Sequence, residues 1–274
     1  DNPFERPQTD MSEVGDADDL TGRLIVGDIR RLNQFVENRK SPLIHGEVDL
    51  VSGGPPCQSF SLAGRRELGN QRNQLPWEFA KFVDYQRPRM VLLENVEGIL
   101  RPFKEESKTY YAWFEVCKAF ASIGYVTRPL LINARYAGVA QNRPRFIMLG
   151  IREDLVNLLT PATAEWFEQG RQLIDAVKAD DADYDKNRWS YRDLTTEEWQ
   201  EKAKHSAFAP LIAFADDSKQ RTIEDAIRDL QDENPDSRSQ YVSDLNNELG
   251  KHLADPNHPM LNQQHPNSTP RVRA

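Results

Sequence analysis

Cysteine is scarce in this sequence, and long apolar runs are missing. The 274 residues include two cysteines, Cys57 and Cys117, which are too few for a zinc cluster or a disulfide framework. Any chemistry at Cys57 must therefore come from a single thiol. No run of about 18 apolar residues occurs, and no signal peptide opens the chain. We therefore expect a cytoplasmic protein that needs neither a membrane nor a metal ion.

The chain also lacks the excess of basic residues that most nucleic-acid-binding proteins carry. Its net charge is -8, and the charge is unevenly distributed. Residues 1–150 hold 19 acidic and 20 basic side chains, whereas residues 151–274 hold 24 and 15. Because a local basic groove can coexist with an acidic total, net charge alone does not decide whether the protein binds DNA.

From Arg23 onward, short apolar strands alternate with segments of helical period. Strands are predicted at 24–26, 48–51, 90–93, 126–133 and 145–150. Helices are predicted at 31–38, 77–85, 111–123 and 222–230, the last with Thr222 and Asp225 at the spacing of a capping box. This alternation predicts an α/β fold built on a mostly parallel sheet.

The segment 53–60, Gly-Gly-Pro-Pro-Cys-Gln-Ser-Phe, follows one of these strands. It places the Cys57 thiol just after a proline-stiffened turn, at the strand end where open α/β sheets bind ligands. That position suits a nucleophile. A cysteine taken alone is more often a small buried hydrophobe, so the neighbouring motifs must decide between the two interpretations.

Three further motifs end or follow strands in the same part of the chain. The segment 94–96, Glu-Asn-Val, puts a carboxylate at a strand end. The segment 141–145, Gln-Asn-Arg-Pro-Arg, offers Arg143 and Arg145, which point the same way if the backbone is extended. The segment 27–29, Gly-Asp-Ile, follows the first strand. Taken singly, these would be a solvated carboxylate, a charged strand edge and a simple turn.

Together, in this order and at these spacings, the motifs resemble the DNA (cytosine-5)-methyltransferase family. Pro-Cys-Gln at 56–58, Glu-Asn-Val at 94–96 and Gln-x-Arg-x-Arg at 141–145 look like the three catalytic motifs of that family. Two more of its elements are similar to Arg72 with Leu75, and to Asn133-Ala134 with Tyr136. The resemblance covers about residues 24–152.

The resemblance implies an enzyme that transfers a methyl group from S-adenosylmethionine to C5 of cytosine in DNA. A covalent bond from Cys57 to C6 would activate a cytosine flipped out of double-stranded DNA. The roles that the resemblance implies are catalysis for Cys57, Glu94, Arg143 and Arg145, substrate binding for Gln58, Asn95 and Gln141, and cofactor binding for Asp28, Ile29, Pro56 and Leu75. Such a protein is expected to be a monomer that acts in restriction-modification or epigenetic marking, associated with the nucleoid if bacterial.

The implied fold is the Rossmann-like, mostly parallel sheet of the S-adenosylmethionine-dependent methyltransferases, and the chain departs from it at both ends. The expected first strand with its Phe-x-Gly-x-Gly turn is absent, as is the acidic residue that follows it. No target-recognition domain is recognisable. We therefore expect a fragment with a flexible segment at 1–20, a catalytic core at 21–152 and an acidic connector or variable region at 153–274.

Three other interpretations stay open at this point. An RNA cytosine methyltransferase of the same fold would share these motifs. A catalytically incomplete relic or regulatory partner would keep the fold without the cofactor loop. A cysteine-dependent hydrolase would need a histidine beside Cys57, and none of the five histidines is placed by sequence as an obvious base.

Overall fold

The structure is a computed structural model, which describes residues 8–14, 18, 20–39, 47–56, 74–105, 108–212 and 221–227. The chain divides into two compact units. The first unit comprises Asp1–Ile132 with Pro144–Ala207, and the second comprises Asn133–Arg143 with Phe208–Ala274. The division into 1–20, 21–152 and 153–274 that the sequence suggests remains a prediction.

Strands occur in three sheets. They are β1 (Gln8–Asp10), β2 (Leu24–Val26), β3 (Leu50–Gly53), β4 (Met90–Val96), β5 (Phe103–Glu105), β6 (Lys108–Tyr110), β7 (Tyr125–Asn133), β8 (Pro144–Arg152) and β9 (Arg192–Asp193). The main sheet has the order β3-β4-β8-β7-β9, and the pairs β1-β2 and β5-β6 form small sheets of their own. In the main sheet β3 is parallel to β4 and β9 is parallel to β7, whereas β8 is antiparallel to β4.

Eight helices occur in the described residues. They are α1 (Ile29–Arg39), α2 (Leu75–Gln86), α3 (Ala112–Ser122), α4 (Pro161–Ala164), α5 (Glu168–Lys178), α6 (Tyr184–Asn187), α7 (Glu197–Ala203) and α8 (Ile223–Ile227). Helix α2 has a proline in its first turn and ends at Arg87, whose φ of 49° is left-handed. Pro88 follows and could not continue the helix. The predicted capping box of α8 is confirmed, because Asp225 N donates to Thr222 Oγ1 over 3.1 Å and Thr222 N donates to Asp225 Oδ2 over 2.9 Å.

The core of the first unit lies between the sheet and helices α2, α3 and α5. Fully buried side chains on neighbouring strands include Val91, Leu93, Phe146 and Met148. Helix α3 buries one apolar face, including Phe120, and ends before Gly124, whose φ of 80° is the left-handed conformation that glycine adopts most readily. Each such side chain stabilises the fold by about 1.5–3 kcal/mol through burial.

Helices α1 and α2 pack side by side and run in the same direction. Near their N-terminal ends, Asn33 Nδ2 donates to the Glu78 backbone oxygen over 2.9 Å and to its carboxylate over 2.7 Å. About one turn further along both helices, Lys81 Nζ lies 2.7 Å from Glu37 Oε1. Because both contacts advance together along the two helices, their N-termini lie at the same end of the pair.

The predicted α/β architecture with a mostly parallel sheet is confirmed, with three local differences. Strand β3, one of the predicted apolar strands, lies at 50–53 rather than 48–51, has one edge unpaired among the described strands, and leaves Leu50 49% exposed. Within the segment expected to be flexible, β1 forms a strand and Leu20 is buried. Part of the expected connector, residues 153–207, adds α5 and β9 to the first unit.

Candidate active site

The backbone that leads towards Cys57 comes from the carboxyl end of β3 and lies beside β4. A Cβ atom on Gly53 would stand 2.7 Å from Phe79 Cε2, so the ring of Phe79 would have to shift if this residue carried a side chain. A Cβ on Gly54 would stand 3.2 Å from the Glu94 carboxylate. The two glycines therefore let the backbone pass close to both a helix and a charged side chain.

Asn95 connects the same backbone to β4 through a side-chain hydrogen bond. Its side chain is buried, and its Nδ2 donates to the Pro55 carbonyl over 3.2 Å. Its Oδ1 accepts from the Val96 N–H over 2.8 Å. Because a buried amide that loses its partners is costly, this contact fixes where the chain leaves the sheet just before Pro56 and Cys57.

Glu94 and Arg145 form an ion pair across neighbouring antiparallel strands. In the β4–β8 register Glu94 stands opposite Ile147, and Val96 stands opposite Arg145. The two charged residues are therefore diagonal neighbours on one face of the sheet. Arg145 Nε lies 2.9 Å from Glu94 Oε1, and Arg145 Nη1 donates to the Pro144 carbonyl over 2.8 Å. Glu94 keeps 44% of its side chain exposed, against 20% for Arg145, so the carboxylate remains open to a ligand.

In the second unit, residues 133–143 form a loop whose two ends are joined. Asn133 Oδ1 accepts from the Arg143 N–H over 3.0 Å, and the Ala134 N–H donates to the Arg143 carbonyl over 3.2 Å. Asn133 Nδ2 also donates to Asn142 Oδ1 over 2.6 Å. Gln141 and Arg143 are exposed on this loop. The side chain of Asn133 thus joins the two ends of the loop that carries Gln141 and Arg143.

The predicted catalytic and substrate-binding residues fall into three groups. Glu94, Asn95 and Arg145 lie together beside the backbone of Gly54 and Pro55. The loop of the second unit carries Gln141 and Arg143. Outside the described residues lie Cys57 and Gln58, as does Arg72 of the further family element.

The four predicted cofactor residues lie at strand or helix ends of the first unit. Asp28 precedes α1, and its carboxylate accepts from the Arg30 N–H over 2.9 Å. Ile29 begins that helix and is half-buried, and Leu75 begins α2 and is also half-buried. Since α1 and α2 are parallel, Asp28, Ile29 and Leu75 belong to the same end of the helix pair. Pro56 is exposed after β3.

Three positioning roles were not evident from the sequence. The amide of Asn95, a predicted substrate-binding residue, is buried and donates to the Pro55 carbonyl. Gly54 makes room for Glu94, and Asn133 closes the loop of the second unit. A Gly-Gly pair before Pro-Pro and an asparagine at a strand end are the local signals that could have indicated such contacts.

Comparison with known proteins adds to this geometry. The sequence profile described as C-5 cytosine-specific DNA methylase matches residues 21–269, which is more than half of the chain. The chain belongs to this family. The resemblance drawn from the motifs at 56–58, 94–96 and 141–145 is therefore confirmed.

The relatives of this chain include methyltransferases from bacteria and from a phage. The type II methyltransferase M.DdeI of Desulfomicrobium norvegicum is 38% identical over 134 residues, which cover 48% of this chain and 32% of that protein. The type II methyltransferase M.HindV of Haemophilus influenzae is 35% identical over 49% of this chain and 40% of that protein. The orphan methyltransferase M.SPRI of Bacillus phage SPR is 33% identical over 49% of this chain and 28% of that protein. The matched part thus spans about a third of the length of these relatives.

The described residues contain neither a membrane-spanning helix nor a cluster of metal-binding side chains. None of the helices there is both long and apolar enough to pass through a membrane. Within the same part of the chain, His, Cys, Asp and Glu side chains nowhere gather in a group of three or more that could hold a metal ion.

Proposed function

We propose that the protein containing this chain transfers a methyl group from S-adenosylmethionine to C5 of cytosine in double-stranded DNA. The observation that supports this most directly is the pairing of Glu94 with Arg145 beside the backbone that leads to Cys57. A carboxylate, a guanidinium and a thiol are the groups that such a reaction requires at one place. Membership of the C-5 cytosine-specific DNA methylase family supports the choice of base and of ring position.

Cys57 is the proposed nucleophile. Because C5 of cytosine is a poor nucleophile, the ring must first be activated by addition at C6. The thiolate forms an S–C6 bond, and the electrons of the C5–C6 double bond become available at C5. S-adenosylmethionine, when bound, would supply the methyl group that C5 accepts, and its sulfur would keep the electrons of the broken S–CH3 bond as a thioether. Removal of the C5 proton by a base and cleavage of the S–C6 bond then restore the ring and the thiolate.

Glu94 and Arg145 are proposed to stabilise the charge that develops in the ring. Addition of the thiolate pushes electrons towards N3, where a proton shared with the Glu94 carboxyl group would stabilise them. The exocyclic amine would donate to the same carboxyl group. Arg145 holds Glu94 through its Nε, and its other nitrogens would face O2 of the base. Such a base is accessible only when it is flipped out of the duplex.

Asn95 is proposed to act as a positioning residue, because its buried amide holds the Pro55 carbonyl. Gln58 and Gln141 remain proposed substrate-binding residues. Arg143 is proposed to favour the thiolate form of Cys57. The closed loop of the second unit supports the proposals for Gln141 and Arg143, since it orders the backbone that carries them.

The ends of α1 and α2 fit part of S-adenosylmethionine. The exposed Asp28 carboxylate offers an acceptor for the exocyclic amine of an adenine, and Ile29 beside it offers an apolar contact. Leu75 at the same end of the helix pair and Pro56 after β3 would contact the methionine side. The geometry of the parallel helices supports this proposal because it brings the two helix starts to one end.

A mechanism-based trap tests this function. The protein is incubated with S-adenosylmethionine and duplex DNA that carries 5-fluorocytosine, and a denaturing gel then reports a covalent adduct. Fluorine cannot leave C5 as a proton does, so the S–C6 bond should persist. We expect an adduct that Cys57→Ser abolishes. Since the chain has two cysteines, Cys117→Ser is the matched control and should leave the adduct in place.

The other interpretations predict different results in the same experiment. An RNA methyltransferase would form the adduct on RNA that carries 5-fluorocytosine and none on DNA. A relic or regulatory partner would form no adduct on either nucleic acid, although the protein is folded. Methylation of DNA with ordinary cytosine that protects this DNA from a restriction endonuclease of the same organism would support a role in restriction-modification over epigenetic marking.

A further inference from the structure

A buried arginine lies in the core of the first unit, away from the proposed catalytic residues. Arg128 is on β7, and only 1% of its surface is exposed. It faces a cavity whose walls are largely apolar and come from α3, α5 and the segment before β9. The wall residues that matter here are Trp113, Phe114, Leu173, Trp189, Gln169 and Ser190. A charge removed from water in this way is costly unless it is paired.

Only one of the three guanidinium nitrogens of Arg128 donates a hydrogen bond among the described residues. Nη2 donates to Gln169 Oε1 over 3.1 Å and to the Ser190 carbonyl over 3.3 Å. Nε and Nη1 have no hydrogen-bond acceptor among the described residues. Burial, and then repulsion by the nearby cation Arg192, lower the pKa of Arg128 to about 9. The guanidinium is therefore still charged at neutral pH.

The polar groups of the cavity wall are already engaged. Gln169 Oε1 also accepts from Ser190 Oγ over 3.1 Å, and Ser190 Oγ accepts from Arg192 Nη1 over 3.0 Å. The wall also includes the Cys117 thiol and Thr127, whose side chains hydrogen-bond to each other, so the surplus consists of donors and positive charge. The cavity is small, with room for about one water-sized sphere. It is therefore too small for a phosphate or for the carboxylate of a metabolite.

We propose that this cavity binds a monatomic anion, with chloride as the natural occupant, against Nε and Nη1 of Arg128. The anion compensates a guanidinium that is buried beside a second one, and it fills space between β7, α3 and α5. A neutral water would accept the hydrogen bonds but would leave the charge uncompensated. The site would thus stabilise the first unit rather than take part in methyl transfer.

Thermal unfolding at constant ionic strength tests this proposal, with sodium bromide or chloride replacing sodium gluconate. We expect the halides to raise Tm saturably, on the order of 2–4 °C. Arg128→Met should abolish the rise, whereas Arg171→Met, at an exposed arginine on α5, should preserve it. A halide response that is equal in wild type and Arg128→Met would overturn the proposal.

A second measurement does not depend on the folding of a variant. Crystals of the wild-type protein soaked in sodium bromide should show an anomalous scattering peak within contact distance of Nε and Nη1 of Arg128. Density without anomalous signal at that position would identify a water and overturn the proposal.

Discussion

At the scale of single residues, the Glu94–Arg145 pair combines a fixed geometry with an exposed carboxylate. The guanidinium is held by the Pro144 carbonyl and by Glu94, while 44% of the Glu94 side chain remains open. A carboxyl group in this position can interact with a base without first being released from a buried contact. Its removal should therefore affect catalysis far more than folding.

We expect Glu94→Gln to lower kcat for methylation on the order of 10²–10⁴-fold, because the shared proton at N3 is lost. The free energy of unfolding should change little, since exposed ion pairs contribute little to stability. Steady-state methylation rates and urea unfolding provide the two readouts. Asp154→Asn is the matched control, because Asp154 pairs with Arg152 over 2.7 Å elsewhere on the first unit. Equal losses of kcat in the two variants would contradict the role of Glu94.

For Asn95→Ala we expect a loss of about 1–3 kcal/mol in the free energy of unfolding, because the Pro55 carbonyl loses its donor. Adduct formation on 5-fluorocytosine DNA should also slow, since the backbone before Cys57 is no longer fastened to β4. Asn95→Asp keeps the acceptor for the Val96 N–H but lacks the donor, so it should slow the adduct as well. The exposed residue Asn157 provides the control Asn157→Ala. Unchanged adduct kinetics in both Asn95 variants would rule out the positioning role.

At the scale of elements, α5 approaches β7 more closely than side chains would normally allow. A Cβ atom on Gly170 would stand 2.3 Å from the Thr127 carbonyl oxygen, which is backbone and cannot move aside easily. The helix can therefore cover β7 at this distance only because position 170 has no side chain.

Gly170→Ala should destabilise the protein by about 1–3 kcal/mol, since the new methyl group would push the helix away from the strand. Urea unfolding measures the change. Gln172→Ala on the exposed face of α5 is the control and should remain within about 0.5 kcal/mol of wild type. If the two variants have the same stability, α5 does not pack on β7 in this way.

The elements that the sequence predicts well are those with a strong apolar period. Helix α3 lies at 112–122 against a predicted 111–123, and β4 begins at Met90 as predicted but continues through Val96. Strand β1 was missed because three residues are too few to show a clear period. Helix α5 has 11 residues with a strong amphipathic period, and the sequence could have predicted it from that period. The sequence could indicate Glu94 and Arg145 by motif, but their contact depends on the β4–β8 register, which no local pattern encodes.

At the scale of the whole molecule, a buried thiol and partly buried tyrosine hydroxyls make the free energy of unfolding depend on pH in the alkaline range. Burial raises the pKa of the Cys117 thiol from 9.0 to about 12, and burial likewise raises the pKa values of Tyr110 and Tyr125 to about 12. These groups ionise more easily in the unfolded chain. Their contribution to stability is therefore present below the unfolded pKa and is lost as pH rises towards the folded pKa. Arg128 acts in the opposite direction, because its pKa is lowered in the fold.

We expect the free energy of unfolding to fall above about pH 10, where the two tyrosines add to Cys117 and outweigh Arg128, and to fall less steeply in Cys117→Ala. One group of this kind accounts for up to about 1.4 kcal/mol per pH unit. Chemical denaturation at several pH values measures both slopes. Parallel pH curves for wild type and Cys117→Ala would show that the thiol is not the buried group that the structure indicates.

The ladder between β4 and β8 also has a consequence for how sequences of this family can diverge. Glu94 and Arg145 share a face only while both strands keep their register, because adjacent residues of a strand point to opposite faces. A single inserted residue within 94–96 or 144–147 would turn one partner away from the other. The loops between β4 and β8 can instead lengthen or shorten, provided that α3 and β7 keep their packing and both strands still meet in the same register. Length variation among natural homologues should therefore concentrate between these two motifs and be absent within them.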